Sequence, residues 1–174
     1  MITRYSKVAI ALHWAIAILI IGNIAGAMLT EGLPKETRGL VMGFHKSFGI
    51  IVLFLAVARI IWRISHRPPA KPESLAAWEK LAARAVHFLF YLLMILVPLS
   101  GWVWMSAGGW PVEMFGLFTM PDLPVGESKQ LADAMHDRHE TLGLAMLVLV
   151  VLHVAGALKH QFIDRMPFIQ RMWP

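Results

Sequence analysis

Apolar residues gather along this chain in four long runs, separated by shorter stretches that hold most of the charge. Residues 8–29 form the first run, without a single Asp, Glu, Lys or Arg. The second covers about residues 40–61, with Lys46 near one end and Arg59 near the other. The third, about 85–107, contains Pro98 and Gly101, so a kink is expected there. The fourth covers about 139–158. A helix of about 20 apolar residues crosses a hydrocarbon core of about 30 Å, so each run is long enough to span a membrane. The pattern predicts an all-α membrane protein: one four-transmembrane-helix bundle over residues 1–174, in contact with lipid. A cleaved signal peptide is the rival for the first run, since Arg4 and Lys7 precede it and Ala25-Gly26-Ala27 resembles a cleavage site. That run is longer than the roughly 7–15 residues of a signal-peptide core, which favours a retained span.

Composition agrees with this reading. The chain is 57% hydrophobic and 16% charged, against about 45–50% and about 25% in soluble domains. The net charge of +5 is spread around the apolar runs rather than along one polar face, which argues against nucleic acid as a partner. Of the sixteen Lys and Arg, eleven fall on the side holding both ends of the chain, among them Arg4, Arg59, Arg63, Arg67, Lys71 and Lys159. Five fall on the other side: Lys35, Arg38, Lys46, Lys129 and Arg138. An excess of Lys and Arg marks cytoplasmic loops, so both termini are expected in the cytoplasm. The longer outer loop, 108–137 between helices 3 and 4, mixes Trp110, Met114, Phe115, Phe118 and Met120 with Pro and Gly. It reads either as a folded cap on the outer face or as a loosely ordered loop.

The absence of cysteine excludes disulfides, iron–sulfur clusters, covalently attached haem and thiolate catalysis. Histidines are then the leading ligand candidates. Five of the eight lie within or at the edge of a span: His13, His45, His87, His139 and His153. Ionisable groups inside a membrane are costly and mark function by default. Alternating helix direction sorts these by depth. His13, His87 and His153 lie towards the cytoplasm; His45 and His139 lie towards the outside. His139 and His153 are fourteen residues apart. At about 100° and about 1.5 Å per residue, they share one helix face about 21 Å apart along the axis. His45 matches the depth of His139, while either His13 or His87 matches His153. Such tiers suit two b-type haems, because a neutral imidazole ligates iron without bringing charge into the bilayer. Gly43, Gly49, Gly143 and Gly156 would let a flat macrocycle approach the backbone. A single intramembrane histidine serves equally well as an interhelical hydrogen-bond partner, and four in two depth-matched pairs argue for ligation. His66, His136 and His160 fall at or beyond helix ends and are expected to be solvated or interfacial. Arg59 and Arg63 read as inside-positive anchors or as partners of a haem propionate, and Trp14, Trp62, Trp102, Trp104 and Trp110 as an interfacial belt.

The motifs carry a resemblance over nearly the whole chain. They are Tyr5-Ser6 with Leu12-His13-Trp14; His45-Lys46-Ser47-Phe48-Gly49 with Arg59 and Arg63; His87; His139-Glu140-Thr141-Leu142-Gly143; and Leu152-His153 with Ala157-Leu158-Lys159-His160. Together they resemble the bacterial cytochrome b561 family, and are similar to the cytochrome b subunits of formate dehydrogenase and some hydrogenases. The resemblance implies a multi-pass protein of the bacterial inner membrane holding two haem b groups. It implies His13 with His153 and His45 with His139 as the iron ligands, which leaves His87 for a quinone pocket at the cytoplasmic haem. It implies an enzyme that oxidises superoxide at the outer (periplasmic) face and reduces ubiquinone near the inner haem, a superoxide:quinone oxidoreductase. The alternative is a membrane-anchor subunit relaying electrons between a partner dehydrogenase or hydrogenase and the quinone pool; a third reading is a transporter or proton channel with a histidine relay. Lys35, Arg38, Lys46 and Arg138 would attract the superoxide anion. The outer loops also hold eight carboxylates, Glu31 among them, so their net charge is minus three and steering would need a local positive patch.

Overall fold

A computed structural model describes residues 4–30, 32–66, 68–69 and 75–174. Glu31, Arg67 and Lys71, counted in the charge balance, lie outside the described residues. Four helices form a bundle: α1 (Lys7–Leu29), α2 (Lys35–Ser65), α3 (Ala77–Ala107) and α4 (Lys129–Leu158). All four are long and apolar enough to cross a membrane. Each start is tied by a side chain or proline. Ser6 Oγ accepts from the Ala9 N–H (3.3 Å) ahead of α1, and Ser128 Oγ accepts from the Leu131 N–H (3.3 Å) ahead of α4. Pro34 precedes α2, and the Glu79 carboxylate accepts the Ala76 N–H (3.1 Å) at the start of α3.

Sequential neighbours pack in turn: α1 on α2, α2 on α3, α3 on α4. The core at mid-bundle takes residues from every helix: Ile16 and Ile20 from α1, Val52 and Ala56 from α2, Leu93 and Met94 from α3, Met146 and Leu149 from α4. Outward-facing positions are apolar as well. Ile18, Phe54, Ile61, Phe88, Leu144 and Val151 are all exposed. Soluble monomers rarely expose more than a few hundred Å² of continuous apolar surface, so these faces belong in lipid.

Three of the helices are longer than their apolar runs. α2 begins at Lys35, α3 at Ala77, and α4 at Lys129, ten residues before its predicted span. A helix satisfies its own backbone hydrogen bonds in water as in lipid, so the apolar run marks only the part that meets hydrocarbon. The interhelical segment expected over 108–137 therefore shrinks to 108–128. His136, expected at a helix end, instead lies within α4, where its Nε2 is 3.3 Å from the Glu140 carboxylate and its ring 4.3 Å from that of Trp104.

Within that segment, β1 (Val112–Met114) pairs antiparallel with β2 (Phe118–Met120). The outer loop is thus a folded cap. Val112 and Met114 are buried with Ile50 of α2 in a second small core, against Trp102 and Met105. The turn holds two consecutive residues of positive φ, Phe115 (55°) and Gly116 (72°), and only the first pays for a side chain in that region. The fully buried Ser47 hydroxyl holds the strained turn in place: it accepts from the Phe115 N–H (3.0 Å) and faces the Glu113 and Gly43 carbonyls at 3.1 Å. The hairpin is thereby fixed beside α2, two residues from His45.

The two chain ends meet at the other end of the bundle. The Tyr5 N–H donates to Arg171 O (3.1 Å), Trp14 Nε1 to Met172 O (2.7 Å), and the Arg4 guanidinium to Trp173 O. The bundle thus has a hairpin end and, opposite it, a terminal end.

Candidate haem sites

The apolar helices bring the five intramembrane histidines into two groups, one near each end. At the hairpin end, His45 of α2 faces His139 of α4, ring centres 5.9 Å apart and planes at 82°. At the terminal end, His13 of α1 lies 6.2 Å from His153 of α4, planes at 63°. His87 of α3 is also beside His153, at 5.8 Å. The two histidines of α4 thus each meet a histidine from another helix, as their spacing predicts. Ring separation alone does not choose between His13 and His87.

Hydrogen bonds at the hairpin end define which nitrogen is free. His139 Nδ1 lies 2.9 Å from Val97 O, and His45 Nδ1 lies 3.3 Å from Asn23 O. A carbonyl only accepts, so each bond requires the proton on Nδ1 and leaves Nε2 with its lone pair. The Asn23 side chain completes the link between α1 and α2 by donating to His45 O (3.2 Å). Both imidazoles are therefore oriented by groups that ligate nothing themselves.

An iron between two imidazoles, with metal–nitrogen bonds of about 2 Å and ring nitrogens about 1.1 Å from the ring centre, needs centres about 6 Å apart. The separations of 5.9 and 6.2 Å meet this requirement. The glycines meet the second one: a Cβ added at Gly43, Gly143 or Gly156 would encounter nothing within 4 Å, so open space lies against the backbone there. At Gly49 the Asn23 amide is at 4.0 Å. The residues fit haem at both levels.

Positive charge is concentrated at the terminal end. A cavity of about 610 Å³ is lined by Arg4, Arg59, Arg63 and His66 together with Tyr5, Trp62 and Tyr91. Arg59 Nη1 donates to Ala9 O (3.0 Å), one turn from His13, and Arg63 lies over the Tyr91 ring at 5.7 Å. His66 stacks on Trp62, ring centres 3.7 Å apart.

One group was not anticipated. α4 runs on into a π-helical turn, Lys159–Ile163, and there His160 Nδ1 is 2.7 Å from Asp164 Oδ2. Lys159 Nζ bridges Asp164 (2.8 Å) and Glu79 of α3 (2.6 Å). His160, expected to be solvated or interfacial, is half-buried and stacked on Phe168 at 4.8 Å. The i,i+4 spacing of His160 and Asp164 was the available signal, valid only if the helix continues past its apolar run. Glu79, His160 and Asp164 would also suit a metal ion, yet the Lys159 ammonium already lies between the two carboxylates.

These features define a class: a four-span membrane protein with two tiers of paired histidines. The profile of the family described as prokaryotic cytochrome b561 matches residues 4–174. Cytochrome b561 homolog 2 of Escherichia coli K12 is 34% identical over 97% of this chain and 90% of its own length. Cytochrome b561 homolog 1 of the same organism is 28% identical over 98% and 97%. The probable superoxide oxidase CybB of Yersinia pestis is 28% identical over 98% and 96%. This chain belongs to the prokaryotic cytochrome b561 family, and is a multi-pass membrane protein. Membership implies haem b and membrane-embedded electron transfer.

Proposed function

We propose that the protein carries electrons across the bacterial inner membrane between two haem b groups, oxidising superoxide at the periplasmic hairpin end and reducing ubiquinone at the cytoplasmic terminal end. One observation carries the reading: two histidine pairs, at 5.9 and 6.2 Å, near opposite ends of an apolar bundle. His45 and His139 hold the outer haem; His13 and His153 hold the inner one. Two histidines on one iron would leave it no open position, so a haem held by these pairs would pass single electrons rather than bind oxygen.

The protein's own residues orient, shield and balance charge. Asn23 O and Val97 O hold the outer imidazoles by Nδ1 and leave the Nε2 lone pair of each for a ligand. The hairpin, pinned on Ser47, covers that end. Arg59, bonded one turn from His13, and Arg63 in the same cavity would balance the acidic propionates of a haem held there. His87, next to His153, is the residue assigned to quinone. Two superoxide anions each give up one electron and leave as oxygen, and one quinone takes both electrons with two protons. The superoxide assignment has support from a relative named as a probable superoxide oxidase. The cations Lys35, Arg38, Lys46 and Arg138 are the residues that would attract the anion at this end, against the net charge of minus three on the outer loops as a whole.

Stopped-flow mixing of the purified, oxidised protein with superoxide tests the donor. Haem reduction within the mixing time, followed by reoxidation on adding ubiquinone, is the expected result. Haems that stay oxidised with superoxide yet are reduced by a partner dehydrogenase would replace this reading with that of a membrane-anchor subunit.

A further inference from the structure

α3 contributes neither histidine of the hairpin-end pair, yet Val97, Ser100 and Gly101 of this helix lie against His139. Three consecutive features of α3 make the contact. Val97 O accepts from His139 Nδ1–H at 2.9 Å. The Ser100 hydroxyl donates to that same carbonyl (2.7 Å) and lies 3.2 Å from His139 Nδ1. At Gly101 an added Cβ would stand 3.1 Å from His139 Cε1 and 3.2 Å from Nδ1, so the missing side chain is the space the ring occupies. Pro98 stands between them, inside the helix and buried, where it removes one N–H from the backbone ladder. Helix, hydroxyl and glycine together form a seat for one imidazole edge.

We infer that this α3 seat sets the reduction potential of the outer haem. The inference rests on the reading of His45 and His139 as its ligands. A carbonyl accepting from Nδ1–H makes the ring more basic at Nε2. A more basic axial ligand favours the ferric state, so the seat lowers the potential. Ser100 and Gly101 are positioning residues here. Ser100 orients the carbonyl and Gly101 lets the ring reach it.

Potentiometric titration of the full-length, haem-loaded protein reads this directly. The component missing from His45→Ala identifies the outer haem. In Gly101→Ala the ring must give way to the new methyl group by a few tenths of an ångström, which strains its 2.9 Å bond to Val97 O. Two haems per chain are expected, with the outer potential shifted upward and the inner one unmoved. The second test replaces the ring itself. His139→Gly is supplied with imidazole, which carries an N–H for Val97 O, or with 1-methylimidazole, which does not. Both should restore a six-coordinate low-spin spectrum, but only imidazole should restore the wild-type potential. Equal outer potentials with the two ligands, or a Gly101→Ala titration indistinguishable from wild type, would overturn the seat. Either variant decides the matter if the other does not fold. A wild-type protein with fewer than two haems would instead remove the underlying reading, whatever the variants do.

Discussion

A histidine in an apolar helix is retained against a cost, and the cost is met when its nitrogens have partners. Each of the four proposed ligands faces another imidazole, so a single substitution should act on one level only. His45→Ala or His139→Ala is expected to lower the haem-to-protein ratio from two to one, with the reduced spectrum of the inner haem unchanged. Pyridine haemochrome assay against protein mass measures this; loss of both haems from a folded variant would contradict independent sites. His87 and His13 compete for one position, at 5.8 and 6.2 Å from His153. On the proposed pairing of His13 with His153, His87→Ala should keep both haems and slow ubiquinone reduction. If it loses the inner haem while His13→Ala keeps it, the partners of His153 are exchanged. Which histidines share a level was legible in the sequence, because depth follows from position in an alternating bundle. What orients each ring was not, since Val97 and Asn23 act through backbone carbonyls, which every residue has.

At the scale of elements, the apolar runs located the four helices and misjudged where they stop. Hydropathy reports contact with lipid, while Ser128 and the backbone ladder carry α4 ten residues further out. The hairpin was invisible as strands for a similar reason: its three-residue strands are held by Ser47 of α2, a contact between distant positions. The same oversight hid the charged group on the π-turn at the far end of α4. There the Lys159 ammonium, and then His160, hold the Asp164 carboxyl below its ordinary 3.8. A carboxyl with a depressed folded value contributes stability above its unfolded value and loses it as the pH falls through the folded one. Thermal unfolding in detergent should thus show the wild type losing stability below about pH 4. Asp164→Asn should unfold at a lower temperature at pH 7 and decline less over the same acid range. Parallel declines in the two proteins would mean that Asp164 adds nothing to the link between α3 and α4.

For the whole molecule, the question that organises function is which end faces the cytoplasm. The fold ties both termini to one end, through Tyr5 with Arg171 and Trp14 with Met172, so a single choice fixes everything. The Lys and Arg of the chain gather at that end, where Arg4, Arg59 and Arg63 surround a cavity. Cytoplasmic loops carry such an excess, and the proposed orientation follows that rule, with the hairpin and the His45–His139 pair outside. Because the chain has no cysteine, one can be introduced as a unique label. Asp122, beyond the hairpin, and Gln170, near the C-terminus, are both exposed. A membrane-impermeant maleimide should modify Asp122→Cys in spheroplasts and reach Gln170→Cys only after the membrane is opened. The reverse pattern would turn the molecule over. Superoxide, an anion that crosses membranes poorly, would then meet the His45–His139 level only if formed in the cytoplasm, and the proposed direction of electron flow would fall with the orientation.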